Sequence, residues 1–162
     1  MGADLYMNKS FKENELKYKP QLDKKIEERN ALPEGSDEAN KAYFKLSEEV
    51  AELYNKLYNS EVYYRDSYNH GSLLWALGLS WWDDVTKYID DEGDMSPDKA
   101  QEFLDVIEGA DLKVDKEFLK GAYEEEGWTH DQCVEHFEKR REELISFLQK
   151  SVDTKESIGC SV

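Results

Sequence analysis

From Ala39 to Leu57 apolar side chains return every three or four residues: Ala39, Ala42, Tyr43, Leu46, Val50, Leu53, Tyr54 and Leu57. That period puts them on one stripe of a helix about five turns long. Ser36 stands at the N-cap, where a hydroxyl accepts from the free N–H groups of the first turn, and Asp37 and Glu38 suit the positive helix end. Upstream, Leu16–Leu32 reads as a helix with Leu22, Ile26 and Arg29 on one stripe. Pro20 is expected at or before its first turn, where a missing N–H costs little. "LPEGS" (Leu32–Ser36) separates the two helices and "YNS" (Tyr58–Ser60) ends the second.

A third pattern starts at Ser72 and carries Leu74, Leu77, Trp81, Val85 and Tyr88, with Gly78 inside it or dividing it. "DDEGDMSPD" (Asp90–Asp98) follows as an acidic loop, and Ser96 before Pro97 signals a helix start. Ala100, Phe103, Leu104 and Ile107 form that helix's inward stripe. After a break over Glu108–Asp115, a shorter helix carries Phe118, Leu119, Ala122 and Tyr123 and is expected to end at Gly127. Thr129 opens the last helix, with Val134, Phe137, Leu144 and Leu148 inward. From Ser151 the pattern fades, so residues 151–162 read as a flexible tail.

Six helical segments with short breaks predict a mainly α, single-domain helical bundle over residues 1–150. "ADLYM" (Ala3–Met7) is apolar enough for a strand, and with "EVYYR" (Glu61–Arg65) it would make a small sheet or hairpin. At 162 residues the chain can bury a real core. Ten Tyr, six Phe and four Trp argue against disorder, since aromatics offset ordering entropy. No stretch is apolar enough to span a bilayer, and the first residues are too polar for a signal peptide. Cys133 and Cys160 fit a reducing compartment without a disulfide, so a cytoplasmic location is expected.

Charge changes the picture most. The net charge is −16, and residues 83–111 hold eleven acids against two bases, −9, whereas residues 1–33 hold six against seven, +1. Such a field repels nucleic acid and anionic membrane and attracts a basic partner.

Candidate chemistry adds less. His130, Cys133 and His136 have the spacing H-x-x-C-x-x-H, but on a helix the outer two diverge by about 120° and no fourth ligand is evident, so no metal is expected. A calcium loop opened by Asp90 fails where Met95 replaces the required Gly and Gln101 the required Glu. Phosphate-loop, dinucleotide and nucleophile-elbow motifs are absent, and no cofactor is expected. Arg140 and Arg141, flanked by Glu138, Glu142 and Glu143, read as an exposed face with internal pairs. Asp66 and His70 are four apart, so on a helix the carboxylate could orient the imidazole as a general base, with Arg65 holding an anion. That alternative, a small enzyme or ligand-sequestering protein whose pocket adds Tyr64 and Trp75, competes with a bland reading. There Arg65 and Asp66 tie a loop over the core while Trp75 and Trp81 fill it.

"MGADLY" (Met1–Tyr6), "YYRDSYN" (Tyr63–Asn69) and "LLWALGLSWW" (Leu73–Trp82) resemble a group of small bacterial and phage proteins with no assigned activity. The likeness implies nothing about residues 83–162 and identifies no catalytic residue. In charge, size and class the chain is also similar to phage-encoded inhibitors of defence nucleases. Duplex DNA carries about one charge per 1.7 Å of axis, and helices studded with carboxylates can imitate it. The leading expectation is therefore an acidic, DNA-mimic-like inhibitor of a basic, nucleic-acid-handling protein. Its partner-binding residues would be Asp83, Asp84, Asp90, Asp91, Glu92, Asp94, Asp98, Glu102, Asp105 and Glu108. Tyr63, Tyr64, Tyr68, Trp81 and Trp82 exceed what one helix stripe can bury, and Tyr63, Tyr64, Tyr68 and Trp82 would serve as aromatic anchors for a partner or a homodimer. Trp81 and Trp82 point about 100° apart on a helix, so one of them is expected outside.

Overall fold

The computed structural model describes residues 2–33, 35–123 and 127–162. In chain order it comprises β1 (Gly2–Met7), α1 (Asn8–Asn30), α2 (Asp37–Leu57), β2 (Tyr63–Ser67) and α3 (Leu73–Ala76). A π turn (Trp81–Val85) and a 3₁₀ turn (Thr86–Tyr88) follow, then β3 (Asp94–Met95), α4 (Pro97–Gly109), α5 (Lys116–Ala122), α6 (His130–Thr154) and β4 (Ile158–Ser161). The fold is mainly α with a small four-stranded antiparallel sheet of order β2-β1-β4-β3. The chain divides into two compact units, residues 9–59 and residues 1–8 with 60–162.

The smaller unit holds most of α1, together with α2. Leu22, Val50 and Leu57 are buried together, with Phe11, Ile26 and Leu53 packed against them. Lys25 bridges to Glu49 at 2.8 Å across the pair. Ser36 caps α2 by accepting from the Ala39 amide at 3.1 Å. Two expectations are corrected here. The first helix starts at Asn8, directly after β1, and Pro20 lies inside it with its ring exposed, so only one ladder bond is lost. Tyr43 and Tyr54 stay exposed, because the single facing helix of this unit covers a narrower stripe than their period implies.

In the larger unit, β1 alternates strictly, burying Ala3, Leu5 and Met7. α6 packs on α4 and on β2. Phe103, Ile107, Phe137, Leu144, Phe147 and Leu148 fill the space with Leu74 and Trp81. Ser96 caps α4 through the Lys99 amide at 3.3 Å, and Thr129 forms a capping box with Gln132. α5 ends at Ala122. The expected continuation to Gly127 crosses residues 124–126 and, like the inward place of the Ala122 side chain, lies outside what is described.

The flexible tail is also corrected. Residues 151–154 complete α6, Lys155 turns the chain at φ 58°, and β4 inserts between β1 and β3. Ser151 is fully buried and donates to the Glu156 carbonyl, while Ile158 is fully buried beside Met95. Backbone hydrogen bonds hold this strand, and they are indifferent to the polar composition that made it look loose.

Cys160 sits in β4, where burial first, then Asp94 and Asp90, pushes its thiol from the ordinary 9.0 up to about 12. Its thiolate fraction at neutral pH is therefore about a thousandfold below that of a free cysteine. Alkylation by iodoacetamide at pH 8 is expected to be slower by a comparable factor, read by mass spectrometry against the unfolded chain. The folded state prefers the neutral thiol. Its contribution to stability is whole below pH 9 and is lost as pH rises toward 12, a loss that Cys160→Ser removes in urea titrations.

Candidate functional site

The acidic segment runs from the π turn through the loop into α4. On α4, Asp98, Glu102 and Asp105 are spaced four and three apart and share one stripe. Ala100, Phe103, Leu104 and Ile107, all buried, lie about 180° away around the helix. The packing that buries the apolar stripe thus obliges the carboxylates to face water. Glu102 pairs with Lys99 at 2.8 Å and Asp105 accepts from Gln101 at 2.8 Å, both exposed, so neither contact removes much charge. Asp98 and Glu108 are exposed, with no ion pair among the described residues.

Other carboxylates of the segment are engaged with backbone. Asp90 folds its own loop, accepting from the amides of Glu92 at 3.0 Å and Asp94 at 2.9 Å, while Gly93 takes φ 88°. Asp94 accepts from Asn8 Nδ2 at 3.0 Å. Asp84 accepts from the Ser80 amide at 2.8 Å, and Ser80 in turn accepts from the amides of Trp82 and Asp83, a reciprocal cap on the π turn. Asp83, Asp91 and Glu92 remain exposed. The ten expected residues therefore divide into an outward set and three, Asp84, Asp90 and Asp94, that also shape the backbone.

Asp66 and His70 do not form the expected pair. Asp66 is buried on β2 and accepts from the amides of Leu73 at 3.1 Å and Leu74 at 3.3 Å and from Trp81 Nε1 at 3.0 Å. Its carboxylate holds the start of α3 and anchors the indole. His70 lies in a turn, not one helical turn along from Asp66, and stacks instead on Trp75 with ring centres 4.1 Å apart. Arg65 is exposed with Nε 3.6 Å from Asp4.

The aromatic set also separates. Tyr64 is buried between Phe147 and the Arg140 guanidinium, 4.7 Å from its ring, so it is no partner anchor. Burial, more than neighbouring Asp66, pushes its phenol far upward. Tyr63 is half-buried and donates to Asp4. Tyr68 lies 5.2 Å from Trp82, which is 58% exposed, whereas Trp81 is buried. Trp75, expected to fill the core, is 45% exposed. It follows the Ser72 cap in a four-residue helix whose buried side is already taken by Leu73, Leu74 and Ala76.

The arginines of α6 make the expected pairs with Glu143 and Glu138, but they are half-buried and also reach distant backbone. Arg140 donates to the Arg65 carbonyl and to Glu143. Arg141 donates to the carbonyls of Ile107, Glu108 and Ala110 at 3.0, 2.7 and 2.6 Å, closing the C-terminus of α4.

Beside Trp75 opens a cavity of ≈490 Å³ bounded by His70, Leu79, Asp84, Lys113, Asp115 and Phe118, among others. Lys113 lies along Gly78, whose φ of 69° and lack of Cβ permit that approach. Among the described residues no three His, Cys, Asp or Glu side chains converge as a metal site, and Cys133 is fully buried while His130 is exposed. No helix among them is long and apolar enough to cross a membrane. Comparison with protein-family models, with curated proteins and with solved structures gives no match.

Proposed function

We propose that this protein is a non-enzymatic inhibitor that presents the carboxylates of residues 83–111 to the basic groove of a nucleic-acid-handling protein, such as a defence nuclease in the cytosol. The observation that carries this is the stripe of Asp98, Glu102 and Asp105 on the side of α4 opposite its buried residues. Spacings of four and three residues at 1.5 Å rise put these carboxylates about 5 Å apart along the axis. One DNA strand carries a charge about every 3.4 Å. The helix alone is thus a sparser ladder than DNA, and the loop acids Asp91 and Glu92 are needed to bring the density up. The Asp66 carboxylate, which accepts three hydrogen bonds, serves as a structural anchor in this reading.

Capture on the immobilised protein tests it. The reading expects basic nucleic-acid-handling proteins to be retained at low salt, released at high salt and displaced by duplex DNA. Reversing Asp98, Glu102 and Asp105 to Lys should abolish capture while lowering the unfolding free energy by only about 2 kcal/mol, since all three are exposed and the main cost is a cation in the first turn of α4. Retention that ignores both salt and the triple reversal overturns the proposal.

A further inference from the structure

The cavity beside Trp75 has a chemistry of its own. Three carboxylates, from Asp84, Asp115 and Glu117, line it against one ammonium, from Lys113. Asp84 spends Oδ2 on the Ser80 amide and Asp115 spends Oδ1 on the Phe118 amide. Each keeps a second oxygen without a hydrogen bond among the described residues, and Glu117 is exposed. Lys113 Nζ pairs with none of the three among those residues; its chain is laid along Gly78. His70, Trp75 and Phe118 give the lining an aromatic side. The Trp75 indole is held by parallel stacking on His70, with an interplanar angle of 14°, and Phe118 lies beneath. Trp75, Leu79 and Ser80 line this cavity and also a smaller one bordered by half-buried Tyr68 and exposed Trp82.

From this we infer that the cavity receives an arginine side chain of the bound protein; the inference rests on the basic-partner reading for the identity of that protein. An indole face and surplus carboxylate oxygens are the two things a guanidinium matches at once. It is planar, weakly hydrated and stacks on aromatic faces while its five N–H donors reach several acceptors. A lysine ammonium is compact and strongly hydrated, and gains less from the flat wall. At ≈490 Å³ the cavity holds the side chain with room for backbone on either side. The Tyr68–Trp82 pair then covers the flanking residues of the same segment.

The test is an NMR titration of the four Trp indole N–H signals with the peptide Ac-Gly-Gly-Arg-Gly-Gly-NH₂, set against its Lys and citrulline counterparts. The Trp75 signal should move and saturate with a dissociation constant of about 1 mM, a realistic value for one side chain. Citrulline, which keeps the shape and lacks the charge, should bind about tenfold more weakly, and Lys about threefold. Trp75→Ala, which removes the reporting indole and is therefore followed through the Arg side-chain signals of the peptide, should weaken binding about tenfold. Glu117→Gln, an exposed change that leaves folding alone, should weaken it about threefold. Equal binding of Arg and citrulline, movement confined to other indoles, or no saturation by about 10 mM overturns the inference. The peptide carries one charge and is read at Trp75, so a failed titration leaves the acidic α4 face standing. A successful titration beside capture that ignores the α4 reversal overturns the basic-partner reading and keeps the arginine pocket.

Discussion

Asp66→Ala is expected to lower the unfolding free energy by about 4 kcal/mol, most of what a domain of this size can lose and remain folded. The reason is the number of donors stranded. Leu73 and Leu74 amides and the Trp81 indole all point at one buried carboxylate. Each buried donor left unpaired costs about 1–3 kcal/mol, and a methyl group can take none of them. Asp66→Asn keeps one acceptor oxygen and turns an NH₂ toward the remaining donors, so it should recover only about half of the loss. Urea unfolding followed by Trp fluorescence measures both, because Trp81 is buried and anchored to the mutated group. A loss under about 1 kcal/mol with an unchanged denaturant slope would mean that water replaces the carboxylate.

Arg141→Ala comes next, at about 3 kcal/mol. The guanidinium, 14% exposed, serves three carbonyls at the end of α4, which carry the negative end of the helix dipole. Hydrogen bonds to a charged donor contribute about 1.5–3 kcal/mol each, and the outer ones are partly open to solvent, which holds the total below their sum. The 3.7 Å contact with Glu138 adds little at the surface. Arg141→Lys should retain about half of the stability, since one ammonium cannot span three carbonyls from a single position. The same variant reports on function. If α4 frays when Arg141 is lost, Asp98, Glu102 and Asp105 lose their common side, and capture of a basic protein should weaken although no acid has changed. Hydrogen exchange at residues 106–110 measures the fraying directly.

Much of the helical layout was legible because its signals are local. Ser36, Ser96 and Thr129 cap where their hydroxyls reach amides three residues on, and α4 buries the stripe its period marks. The candidate site was less legible. Asp66 and His70 looked paired because four residues were counted as one helical turn, and a strand and a turn occupy that stretch instead. Trp75 looked apolar and was placed inside. A helix of only four residues cannot bury every large side chain it carries, so Trp75 is left outside. Arg141 looked like surface beside its glutamates, since its true partners lie 31 to 34 residues away.

The order of residues by itself determined most of the helices, the caps at Ser36, Ser96 and Thr129 and the concentration of acid between Asp83 and Asp111, because capping, period and charge depend on neighbours a few bonds apart. Only the tertiary structure decided that the last residues form an inner strand between β1 and β3, that Asp66 anchors the Trp81 indole, and that Trp75 stands beside a cavity. Each of these depends on which distant segments meet. Pairing of that kind is set by the summed burial and hydrogen bonding of the whole chain, to which no single stretch holds the key.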